Sequence, residues 1–104
     1  METKGLENQR GRKKVMFAHV VISGFVQGVG YRQFVKKTAL KLNLNGWVKN
    51  IDQRRVETGL IGPKEKIEEA LKAFKKGSFL SQVKNVQAEW EEKEPDFNGF
   101  EIIV

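Results

Sequence analysis

The sequence predicts an α+β fold, a two-layer sandwich in which two helices cover one face of a largely antiparallel sheet. Three observations predict it. Apolar residues alternate with period two in several short segments, recur every three to four residues in two others, and the segments succeed one another as β-α-β-β-α-β-β. A length of 104 residues allows one domain and one core.

Residues 1–14 are polar, contain Gly5 and Gly11 and show no sustained period, which predicts a disordered basic arm ahead of a folded domain over 15–104. Val15 to Ser23 is β-branched and apolar, with Ala18, Val20 and Ile22 on the core side and His19, Val21 and Ser23 on the other. This is strand one. His19 reads as a half-exposed strand residue, and nothing in the sequence around it offers a catalytic partner. Tyr31, Phe34, Val35, Thr38, Ala39 and Leu42 then trace one face of an amphipathic helix over 31–42, ended by Asn43 in the left-handed conformation.

Gly46-Trp47-Val48-Lys49-Asn50 makes a short second strand, Asp52-Gln53-Arg54 a weak turn, and Val56, Thr58 and Leu60 the alternating side of a third. These two form a hairpin. Gly62-Pro63 opens the second helix, Ile67, Leu71 and Phe74 share one of its faces, and Gly77 stops it. A fourth strand lies within 79–92, with Val86, Ala88 and Trp90 on one side, and 100–104 forms a fifth; the last two are read as short. A strand–helix–strand crossover is right-handed, so both helices fall on one side of the sheet and leave the other to solvent. The expected fold is therefore ferredoxin-like, βαββαβ with a short extra C-terminal strand.

Composition excludes several function classes. Apolar residues make up 39% of the chain, and no apolar run approaches the roughly 20 residues that span a bilayer. The charged N-terminus is not signal-like, so the expectation is a soluble cytoplasmic protein with no membrane partner. The absence of cysteine removes disulfides, thiolate chemistry and thiolate metal sites, and the single histidine, His19, argues against zinc. The net charge is +6, but the arm carries five basic groups against two acidic ones, leaving 14 against 11 in the body. A body so mildly basic is not expected to bind nucleic acid. RNA recognition on this topology would need aromatic residues on the open face of the central strands, where strand one offers His19 and Val21 and strand three Glu57 and Gly59.

The informative stretch is Gly24-Phe25-Val26-Gln27-Gly28-Val29-Gly30-Tyr31-Arg32, between strand one and the first helix. Glycines at three positions allow successive N–H groups to converge on an anion, or simply permit a tight βα connection. Arg32 lies in the first helical turn, where the macrodipole disfavours a cation by up to about 1 kcal/mol. A bound anion would cancel that conflict. The stretch fits neither nucleotide motif: three residues rather than four separate Gly24 from Gly28, with no lysine following, and position 33 is Gln33 where a dinucleotide fingerprint needs glycine. No serine, cysteine or histidine is present in the loop to act as a nucleophile, so water is the expected attacker.

The stretch Gly24 to Arg32 resembles the acylphosphatase signature G-x-V-Q-G-V-x-(F/Y)-R, and Gly46 to Asn50 resembles that family's second signature, G-(W/Y/F)-(V/A)-(R/K)-N. Both blocks occur in the family's order and spacing. The resemblance implies a ferredoxin-like enzyme that hydrolyses an acyl phosphate to carboxylate and orthophosphate without metal, cofactor or covalent intermediate. Arg32 matches the arginine that binds the phosphate beside the amides of Val26, Gln27, Gly28, Val29, Gly30 and Tyr31. Asn50 matches the asparagine that positions the attacking water, and Trp47 keeps a packing role. The partners so implied are a small acyl phosphate and its product, inorganic phosphate; the chain is expected to be a monomer. Similar domains occur within larger proteins of hydrogenase maturation that handle carbamoyl phosphate; a chain of this length is expected to be the free-standing kind. The chain departs from the family at Gln53-Arg54, where Asp-Gly is common, at Asn43, where glycine is common, and at Gly77-Ser78, where Gly-Pro is common.

Overall fold

The computed structural model describes residues 15–26, 30–92 and 98–103, so the N-terminal arm and Gln27, Gly28 and Val29 lie outside the described residues. The elements are β1 (Val15–Phe25), α1 (Tyr31–Lys41), β2 (Asn45–Asp52), β3 (Arg55–Pro63), α2 (Lys64–Lys76), β4 (Gln82–Glu92) and β5 (Phe100–Ile103). They form one sheet in the order β4-β1-β3-β2-β5. The pairs β1·β3, β1·β4 and β2·β3 are antiparallel, and β5 joins the edge of β2 in parallel. The ferredoxin-like expectation holds, including the added C-terminal strand.

One part of it is corrected. β4 is 11 residues long rather than short, because it pairs along β1 from Met16↔Glu92 to Phe25↔Gln82. The charged outward side of β4 hides that length in the sequence. The first helix ends at Lys41, and Asn43 takes the expected left-handed conformation with φ 59°.

Alternation places the core as expected. Ala18, Val20 and Ile22 of β1, Val48 of β2 and Val56, Thr58 and Leu60 of β3 are fully buried beneath the helices. Tyr31, Val35 and Ala39 of α1 and Ile67, Ala70 and Phe74 of α2 close over them. Burying a side chain such as Phe74 contributes about 1.5–3 kcal/mol. Thr58, buried in this core, donates its hydroxyl to the Trp47 carbonyl at 2.7 Å. The Tyr31 hydroxyl donates to the Phe74 carbonyl at 2.8 Å, joining the first turn of α1 to the last turn of α2. That carbonyl belongs to a helix end, where C=O groups lack intrahelical partners, so the bond settles both groups.

The same connections fix the site. At Gly24 the pairing of β1 with β4 shifts register, and the chain leaves the sheet just beyond Phe25. The Gly24 amide donates to the Arg54 carbonyl at 2.9 Å, tying this exit to the tip of the β2–β3 hairpin.

Candidate active site

Two glycines set the local backbone. Gly24 has φ +139°, and a Cβ there would lie 2.2 Å from the Gln82 carbonyl oxygen, so both conformation and space demand glycine. Gly30 is the N-cap of α1 in the left-handed region, φ 75° and ψ 20°. A Cβ at Gly30 would meet nothing within 4 Å, so the requirement there is conformational alone.

α1 begins without compensation. No side chain among the described residues caps it, and its first turn holds no acidic residue. Its ladder starts with the Phe34 amide donating to the Gly30 carbonyl at 3.0 Å, so the amides of Tyr31, Arg32 and Gln33 precede the first intrahelical bond. Arg32 is half-buried in that turn and makes no ion pair among the described residues. A helix N-terminus with an adjacent guanidinium is a strongly positive site with oriented donors.

Asn50 arrives from the other side. It lies on the helix-facing side of β2, in step with the buried Val48, and a bulge follows it: Asn50 pairs with Val56 but Asp52 with Arg55, leaving Ile51 over. The hairpin tip is closed by Asp52, which accepts from the Arg54 amide at 2.9 Å and from the Arg55 guanidinium at 2.9 and 2.7 Å. Hydrogen bonding from Arg55, aided by the Arg54 amide, holds the Asp52 carboxyl below its ordinary range. Neither Gln53 nor Arg54 has positive φ, so the tip does without the glycine-type turn of many hairpins and is secured by this carboxylate instead. The Asn50 Oδ1 is buried and has no hydrogen-bond partner among the described residues. An unpartnered buried acceptor costs about 1–3 kcal/mol, which a bound water or ligand recovers.

Val26, Gly30, Tyr31, Arg32 and Asn50 converge on one cavity of about 120 Å³, completed by Gln33 and Ile102. Of the residues singled out in the sequence, Gln27, Gly28 and Val29 lie outside the described residues. Tyr31 contributes differently from the rest. Its amide belongs to the helix start, while its side chain is core, and burial pushes the phenol well above its ordinary value.

Two lining residues were not anticipated. Gln33 carried a weak signal, being the third residue of the helix that the loop opens. Ile102 carried none, because only the parallel pairing Val48↔Ile102 brings β5 beside Asn50. His19 is the half-exposed strand residue expected, and its Nε2 lies against the Glu57 carboxylate, with Lys49 Nζ 3.7 Å from the same group. These three and Trp47, whose ring centroid is 6.2 Å from that of His19, lie on the sheet face opposite the cavity. Glu57 is 38 residues away in sequence, reached by the diagonal of the β1·β3 pairing His19↔Gly59.

Comparison with known proteins agrees with this fold. A family model described as acylphosphatase matches residues 18–102. A curated acylphosphatase of Syntrophotalea carbinolica is 43% identical over 80% of this chain and 90% of its own. The crystal structure of acylphosphatase from Bacillus subtilis superposes with a TM-score of 0.82 at 35% identity, covering 86% of this chain and 99% of that one. Full-length HypF, in a phosphate- and nucleotide-bound form, matches 91% of this chain with only 13% of its own length, at a TM-score of 0.77 and 29% identity. The chain belongs to the acylphosphatase family of hydrolases.

Proposed function

We propose that the chain hydrolyses acyl phosphates in the cavity between the start of α1 and the end of β2, with Arg32 and the amides of residues 26–31 holding the phosphoryl group and Asn50 aiming the water. The observation that carries this reading is the placement of the unpartnered, buried Asn50 Oδ1 against the same cavity as Arg32 and the uncapped helix start. An acceptor on one side and converging donors on the other suit a water attacking a bound anion.

The chemistry follows from charge. The water oxygen forms a bond to phosphorus as the bond from phosphorus to the acyl oxygen breaks, and the carboxylate departs with the electron pair. Negative charge spreads over the equatorial oxygens, where the Arg32 fork and the helix amides stabilise it without rearranging. A carboxylate is a good leaving group, so no strong base is required. The water donates one hydrogen to Asn50 Oδ1, and its other proton passes to a phosphoryl oxygen. Holding the water and phosphorus in line converts an encounter between two molecules into a reaction within one complex.

The test is hydrolysis of benzoyl phosphate by the wild type and by Arg32→Gln, with chelator present. The wild type should turn over. The variant should lose about a hundred- to a thousandfold in kcat/KM, on the scale of losing a preorganised charge-stabilising donor, with its circular dichroism unchanged. Robust turnover by Arg32→Gln would remove Arg32 from the reaction.

A further inference from the structure

A second, larger groove of about 460 Å³ runs along α1, lined by Gly30, Gln33, Phe34, Lys36, Lys37 and Leu40. It meets the phosphoryl cavity at Gly30 and Gln33, the two residues that line both. Asn50, Arg32, Val26 and Ile102 line only the smaller one. The geometry points to this groove as the acyl subsite, and to Lys36 and Lys37 as residues that select acyl groups carrying a second negative charge. The inference rests on the proposed acyl phosphate hydrolysis.

Volume and direction support the assignment. The smaller cavity, about 120 Å³, is lined by the residues proposed to hold the phosphoryl group and the water. The larger groove beside it offers separate space for an acyl chain. In-line displacement sends the leaving carboxylate away from the water. With water at Asn50, the acyl group departs on the side away from Asn50, and the groove shares Gly30 and Gln33 with the cavity but not Asn50.

Charge then sets the preference. α1 contains Arg32, Lys36, Lys37 and Lys41 and no acidic residue, and no carboxylate lines the groove among the described residues. Phe34 and the half-exposed Leu40 supply apolar contact for a short methylene chain between the phosphoryl end and the lysines. An acyl phosphate with a distal carboxylate satisfies both ends. The lysines are near the surface, so the preference should be modest and salt-sensitive.

The experiment compares butanoyl phosphate with 3-carboxypropanoyl phosphate, which have the same chain length and differ by the terminal carboxylate. For the wild type at low ionic strength, KM should be about three- to tenfold lower for the carboxylate-bearing substrate, and the ratio should shrink as salt is raised. K36Q/K37Q should bring the ratio to about one, whereas Lys72→Gln on α2 should leave it at the wild-type value. Equal KM values in the wild type would overturn the inference while leaving acyl phosphate hydrolysis standing. So would a ratio that survives K36Q/K37Q, or one that Lys72→Gln removes equally, since that reports net charge rather than the groove. Failure of the wild type to hydrolyse either substrate would overturn the reading beneath it.

Discussion

The Gly24 amide and the Arg54 carbonyl are hydrogen-bonded at 2.9 Å, and that bond fastens the chain leaving β1 to the tip of the hairpin that carries Asn50. The two sides of the cavity, proposed to hold phosphate and water, are thereby tied together. Gly24→Ala is expected to separate them, because a Cβ would sit 2.2 Å from the Gln82 carbonyl oxygen at a backbone angle, φ +139°, that L-residues avoid. The expected cost is about 2–4 kcal/mol in urea unfolding, with activity lost beyond what unfolding explains.

Tyr31→Phe should separate the two parts played by Tyr31. The amide stays, but the Phe74 carbonyl loses its donor, at a cost of about 1–3 kcal/mol in denaturant unfolding. Activity at ambient temperature should remain within a few fold of wild type. The variant should also change alkaline stability. Because burial raises the Tyr31 pKa above its ordinary value of 10.0, the unfolded chain releases this proton first. The associated stability is fully present below pH 10 and is lost as pH rises above it. Tyr31→Phe should therefore flatten the fall in stability above about pH 10 relative to wild type, in paired urea titrations.

Asp52→Ala should loosen the hairpin tip. The carboxylate joins the Arg54 amide to the Arg55 guanidinium, one bulge away from Asn50. Turnover is expected to fall by about two- to tenfold through misplacement of Asn50, while the melting temperature barely changes because the pair is exposed. The depressed Asp52 pKa sets the direction of its pH effect: its contribution is present above the unfolded pKa and lost as pH falls through the folded one. A large loss of stability with normal turnover would contradict this role.

Local physics carried most of the fold in the sequence. The alternation of Ala18, Val20 and Ile22 reports a sheet with one covered face, and Asn43 and Gly77 mark helix ends by conformations they adopt readily. Long-range pairing was less visible. The full length of β4, the placement of Ile102 beside Val48 and the meeting of His19 with Glu57 follow from strand register, which no local pattern encodes. The candidate site divides the same way. Gly30, Arg32 and Asn50 stand out by residue type and motif, whereas Gln33 is an ordinary helix residue until the cavity around it is seen.

The most direct measurement is the split between binding and turnover in Asn50→Ala. Inorganic phosphate, used as a competitive inhibitor of benzoyl phosphate hydrolysis, reports the phosphate cradle alone. Its inhibition constant should stay within about threefold of wild type while kcat falls by at least about a hundredfold, the scale of removing one positioned polar group from a reacting centre. Parallel loss of phosphate affinity and kcat would instead make Asn50 part of the cradle, and would contradict a water held by β2 against a phosphate held by α1.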